Sequence, residues 1–150
     1  MRALILAFAL AGCSPQAPSE PTPPAPLPST QAPPASQAAL AQMPSWESAR
    51  AAGVDFRAVG QEPGWMVDVY TQGRIVALMD YGQTLVEFPA ATLTNPAEGA
   101  TRFEAQVQGH TLSLTARRAP CEDAMSGAPY PATVEVVFDG RTLNGCGKSV

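Results

Sequence analysis

From Val54 onward, apolar and polar residues alternate with a period of two, and turn residues interrupt the alternation at short intervals. Val54, Phe56 and Ala58 alternate with Asp55 and Arg57, and Trp65, Val67 and Val69 with Met66, Asp68 and Tyr70. Further along, Phe103, Ala105 and Val107 alternate with Arg102, Glu104 and Gln106, and Leu112, Leu114 and Ala116 with Ser113 and Thr115. Val134, Val136 and Phe138 repeat the pattern against Thr133 and Glu135. A period of two sends successive side chains to opposite faces of a strand, so each run predicts a strand with one apolar face. The more continuously apolar runs Arg74–Asp80 and Thr84–Phe88, and a short strand over Arg141–Cys146, bring the expected total to eight.

The separators are short. Thr71-Gln72-Gly73, Tyr81-Gly82-Gln83, Gln108-Gly109-His110 and Asp139-Gly140 suit hairpins, while Asn95-Pro96-Ala97-Glu98-Gly99 sits in a longer connection. Tight hairpins throughout predict an all-β fold, a small eight-stranded antiparallel barrel-like meander, with a two-sheet sandwich as the alternative. Trp46–Ala52 has room for one short helix capped by Ser45.

Upstream the pattern changes. Ten of the 16 prolines lie between Pro15 and Pro44, and residues 14–45 hold no aromatic residue and a single charge, Glu20. Such a segment has too little apolar surface to offset the entropy of ordering it, and it predicts a disordered spacer. Before it, Met1-Arg2 leads into the apolar stretch Ala3–Gly12, a charged start and short apolar core of the secretory type. That stretch is shorter than the about 20 apolar residues a bilayer-spanning helix needs. Leu10-Ala11-Gly12-Cys13 resembles the lipobox of bacterial lipoproteins. The resemblance implies cleavage before Cys13, acylation of its thiol and amine with palmitate-type chains, and a mature chain held to the bilayer. Ser14, where an aspartate would resemble the inner-membrane retention signal, points to the outer membrane. The expected layout is a signal peptide over 1–12, a lipidated cysteine and tether over 13–45, and a β-domain over 46–150.

The formal net charge is −4, or −5 once Arg2 leaves with the signal, and the only adjacent basic pair is Arg117-Arg118. Without a clustered basic face, nucleic acid is excluded as a partner. Cys121 and Cys146 are expected to form a disulfide in an exported domain, the alternative being a thiolate metal site joined by Met125 and His110. His110, the only histidine, falls at a hairpin turn, and no serine occupies a G-x-S-x-G elbow. No catalytic residue, resident metal or cofactor is therefore assigned, and a non-enzymatic role is expected.

Two segments are less generic, Gly60-Gln61-Glu62-Pro63-Gly64-Trp65 and Cys121–Pro131, the latter followed later by Gly145-Cys146. Together they resemble a family of uncharacterised bacterial envelope proteins sharing G-x-E-P-x-W, C-x-D-x-M-S-x-x-x-Y/F-P and a terminal G-C. The structural reading gives Pro63-Gly64 a type II turn with Gly64 at positive φ, makes Trp65 an apolar plug, and lays Cys121–Pro131 over the opposite rim. The functional reading makes Glu62, Trp65, Asp123, Ser126 and Tyr130 a binding rim. Ser126-Gly127-Ala128-Pro129-Tyr130 also resembles the S-G-x-x-Y loop of membrane-bound inhibitors of c-type lysozyme, although the Lys-containing continuation of that family is missing. The resulting order is binding or envelope maintenance with an envelope protein as partner, then lysozyme inhibition, then carriage of a small apolar ligand. A clickable fatty acid should label the wild-type chain and not Cys13→Ser, and equal labelling would remove the anchor.

Overall fold

The computed structural model describes residues 38–150. The signal stretch, Cys13 and most of the tether lie outside the described residues. Nine strands follow in order: β1 (Val54–Gly60), β2 (Trp65–Tyr70), β3 (Ile75–Met79), β4 (Thr84–Phe88), β5 (Thr92–Ala97), β6 (Ala100–Val107), β7 (His110–Glu122), β8 (Pro129–Phe138) and β9 (Arg141–Ser149). A 3-10 turn, Asp80–Gly82, joins β3 to β4. All strands belong to one antiparallel sheet of order β4-β3-β2-β1-β9-β8-β7-β6-β5. The fold is all-β and barrel-like, a single curled sheet rather than two stacked ones.

The count differs from the sequence expectation by one. β5 occupies the segment around Asn95-Pro96 that reads as a connection, and every one of its side chains is exposed, so it carries no period-two apolar signature. Its place in the sheet explains the discrepancy. With every pairing antiparallel, β4 and β5 run in the same direction, yet only Pro89-Ala90-Ala91 separates them. Side-by-side parallel strands need a crossover of a dozen or more residues. β4 and β5 are therefore successive halves of one bent course, the first pairing with β3 and the second with β6. Counted that way the sheet has eight courses, and β1 pairs with β9 to join its two meanders.

The inner face holds the main core, including Val67, Ile75, Phe88, Leu114, Val136 and Phe138, all buried. Cys121 and Cys146 form a disulfide with Cα atoms 5.6 Å apart, so the thiolate metal site does not form. Closing a loop of 25 residues stabilises the fold by about 3.5 kcal/mol in the chain-entropy account.

β1 to β4 are covered on their outer face as well. Ala39 and Met43, upstream of the expected domain start at Trp46, are buried against Val76 and Leu78. This second layer explains why β3 is apolar at every position and buried throughout. The strap continues through Trp46, where the expected helix is replaced by consecutive turns. Ser45 Oγ still accepts the Ser48 N–H at 3.3 Å, but only isolated helical bonds follow, such as Ala52 N–H to Ser48 O at 2.9 Å.

Between strap and sheet sits a buried ion pair. Arg57 donates through Nε to Asp68 Oδ1 at 2.6 Å and through Nη2 to Asp68 Oδ2 at 2.7 Å. Nη2 also donates to the Pro44 carbonyl at 2.7 Å, and the guanidinium lies 4.8 Å from the centre of the Trp46 ring. Removing one partner strands the other charge away from water, which costs about 3–5 kcal/mol. Asp68→Ala should lose that much in urea unfolding, whereas Arg57→Met with Asp68→Leu should recover most of it. A loss below about 1 kcal/mol for Asp68→Ala would show that water reaches the pair.

Candidate functional site

The two ends of the barrel differ. At one end the β6–β7 and β8–β9 hairpins are latched to each other and to the β3–β4 turn. His110 Nδ1 meets Asp139 Oδ2 at 2.7 Å, and the imidazole stacks on Phe138 at 5.6 Å. Asp139 also accepts the Thr111 N–H at 2.8 Å, and that bond, ahead of the imidazole, holds its carboxyl below the usual range. Arg141 grips Asp80 with two hydrogen bonds of 3.0 Å. His110 thus serves a hairpin latch.

The other end is open. The inward faces of the strands shrink as they approach it: Leu112 and Leu114 give way to Ala116 on β7, and Phe138, Val136 and Val134 to Ala132 on β8. On β9 the matching position is Gly147, where a Cβ would fall 2.9 Å from Val134 Cγ2 and closer still to the Phe56 ring that lies across it. The small residues leave a cavity of about 670 Å3, with Phe56, Phe103, Ala116 and Ala132 among its walls. Arg118 shares the inward face of β7, opposite Ala132 in the β8 register, and stands at the lip of this mouth beside Arg117.

The sequence-predicted rim divides. Trp65 is not on a rim: it is 5 % exposed and packs into the inner core. A Cβ on Gly60 would fall inside its indole, and one on Gly145 would strike both the indole and the Val59 carbonyl. Those contacts give the glycines of G-x-E-P-x-W and of Gly145-Cys146 one common purpose, since both let the backbone close on Trp65. The turn itself also departs from the expected type II form. Glu62 is exposed and takes the left-handed conformation at φ 59°, whereas Gly64 does not. Gly64 is needed instead because a Cβ there would lie 2.8 Å from the Tyr81 ring.

Asp123, Ser126 and Tyr130 come together, on the outside of the sheet rather than over a rim. Beyond Arg118 the β7–β8 register shifts, and the hairpin tip carries Cys121 to Cys146. Asp123 organises the tip. Its Oδ1 accepts the Ser126 hydroxyl at 2.7 Å and the Ser126 N–H at 2.8 Å, and the Gln61 amide donates to Oδ2 at 3.3 Å. The two distinctive segments of the sequence therefore meet through Gln61, a residue that motif reading passed over. Tyr130 lies 6.2 Å from Trp46, with the Lys148 ammonium 4.5 Å from the Trp46 ring centre and 5.7 Å from that of Tyr130. Burial, and after it the Asp123 charge, pushes the Tyr130 hydroxyl up. Among the described residues, no group of three or more His, Cys, Asp or Glu is arranged to hold a metal.

Comparison with known protein families, curated proteins and solved structures finds no match to this chain.

The hydrogen bonds from Ser126, hydroxyl first and then N–H, lower the Asp123 carboxyl below its ordinary value. A depressed folded value means that the carboxylate stabilises the fold above its unfolded value, about 3.9, and ceases to as pH falls through the folded one. The stability gap between wild type and Asp123→Ala should thus be constant near neutrality and shrink below about pH 4. A gap unchanged down to about pH 2 would detach the carboxylate from the loop's stability.

Proposed function

We propose that the chain is an outer-membrane lipoprotein, held by acylated Cys13, whose β-domain works by binding a ligand at the open end of its barrel. The observation that carries this reading is the asymmetry of the two ends. One end is latched by hydrogen bonds and ion pairs, while the other opens into the cavity beside Phe56 and Phe103. Barrel mouths are a recurring location for small-molecule sites, and a volume of about 670 Å3 lies within the range such sites occupy. The reading asks for no proton transfer and no nucleophile, in keeping with the non-enzymatic role expected from the sequence.

The lysozyme-inhibitor reading would use the Ser126 loop instead. That loop is exposed, with Met125 75 % accessible at its tip. The Ser126 hydroxyl, however, already donates to Asp123 and accepts the Ala128 N–H at 3.3 Å. Its only proton and one of its two lone pairs are engaged inside the loop, so it has no proton to donate to a partner, which favours the mouth as the working surface.

The full lipidated protein, taken from its own envelope into lipid nanodiscs, should carry a non-covalent adduct in native mass spectrometry. Ala116→Phe, which narrows the mouth, should remove the adduct while leaving the disulfide and the anchor in place. An adduct-free wild type, or equal occupancy of both forms, would end the reading.

A further inference from the structure

The mouth has a chemical polarity along its length. A second cavity of about 210 Å3 shares Asp55, Phe56 and Phe103 with the first and continues toward Val69, Ala91 and Leu93. The two cavities adjoin at the open end, with Phe56 and Phe103 walling both. Arg117 and Arg118 line the first cavity only. The second cavity is walled mainly by Phe56, Val69, Ala91, Leu93 and Phe103, with Tyr70 and Thr71 at its edge and Arg74 stacked on the Tyr70 ring.

The charged residues lining the first cavity leave a cationic balance, Arg117, Arg118 and Lys148 against Asp55 and Glu98. Among the described residues the ion pairs involve Arg57, Arg74, Arg102, His110 and Arg141, and neither Arg117 nor Arg118 is engaged. Both are exposed on a strand whose backbone is fixed, Arg118 N–H donating to Gly99 O at 2.8 Å. Of the two carboxylates at the mouth, Asp55 already accepts the Thr71 hydroxyl at 2.9 Å, and Glu98 sits on the exposed β5–β6 turn. Lys148 also lines the cavity, but its ammonium rests on the Trp46 and Tyr130 rings. An inward-facing arginine without a partner, backed by a second on the outer face of the same strand, stands beside the Phe56 and Phe103 walls and complements a ligand with one anionic head and one hydrocarbon tail. A guanidinium fork matches a carboxylate or phosphate in bidentate fashion. The tail would replace water along Phe56 and Phe103, where the apolar wall gains most from being covered.

We infer that the open end of the barrel takes a single-chain anionic amphiphile, its head held by Arg118, with Arg117 adding charge from the other face of β7, and its tail lying past Phe56 and Phe103 toward Leu93. The inference rests on the proposed binding role of the mouth and gives that role a ligand class.

The unit Gln31–Val150 contains every described core residue, so it carries its own core and can be used without the anchor or detergent. Calorimetric titration below the micelle threshold would compare dodecanoate, dodecyl phosphate, dodecanol and dodecyltrimethylammonium. Dodecanoate and dodecyl phosphate should bind with one-to-one stoichiometry, and the ratio of their affinities separates a carboxylate from a phosphate head. Arg117→Ser with Arg118→Ser should weaken both about tenfold, the effect of one charge-assisted hydrogen bond, and leave dodecanol unchanged. Ala116→Phe should abolish binding, with Ala132→Leu used in its place if the melting curve shows that the first variant is unfolded. Dodecanoate binding no tighter than dodecanol, insensitivity to the arginine pair, or no saturable binding to the wild type would each overturn the inference. None of these would disturb the reading of the mouth as a binding site if the adduct in the native protein persists.

Discussion

Arg57 and Asp68 meet on the outer face of β1 and β2, where neither side chain reaches water. An ion pair in that position contributes little net stability, because the cost of stripping water from two charges offsets most of their attraction. Its effect here is to fix position. The guanidinium has donors left over after binding Asp68, and it uses one on the Pro44 carbonyl and its face on Trp46. Trp46 in turn meets Tyr130 and Lys148, which belong to β8 and β9. One charged group therefore registers the strap, the first hairpin and the last two strands against each other. A methionine and a leucine would fill the same volume but leave the Pro44 carbonyl without its donor. The second layer over β1 to β4 follows from this placement.

Period-two alternation marks five of the strands because each has one face in the core, and the continuously apolar run over β3 reflects burial on both of its faces. β5 escaped for the same reason: no face of it is buried, and Pro96 argued against a strand. The cysteine pair was legible from compartment logic alone. The strap was not, because Ala39 and Met43 sit in a stretch whose composition is otherwise that of a spacer, and two apolar residues make no period. Trp65 shares the apolar parity of Val67 and Val69 and is buried with them, and what the sequence does not display is how closely Gly60 and Gly145 let the backbone close on its indole, which takes it off the rim. The mouth left a trace that was readable in retrospect. Alanine and glycine at 116, 132 and 147 end inward rows of leucine, valine and phenylalanine.

The pairing of Phe56 with Ser149 and of Val59 with Cys146 makes the sheet depend on its two ends meeting. Contacts of such sequence separation carry a large loop-closure cost and form slowly. β6 to β9 can assemble first through local hairpins, and the Cys121–Cys146 disulfide lies entirely within that half.

The bend at Pro89 has a further consequence for neighbouring molecules. Because one course serves two partners with its two halves, the sheet exposes two short free edges instead of one long one. The β4 edge carries Glu87, paired at 3.3 Å with Arg74, and the β5 edge is broken by Pro96, which has no N–H to offer. Unpaired edges recruit other strands when they are long, flat and apolar. A lipid anchor would confine many copies to one plane, where lateral encounters far outnumber those in free solution. Short, charged and proline-bearing edges let such a layer stay crowded without polymerising through its sheets.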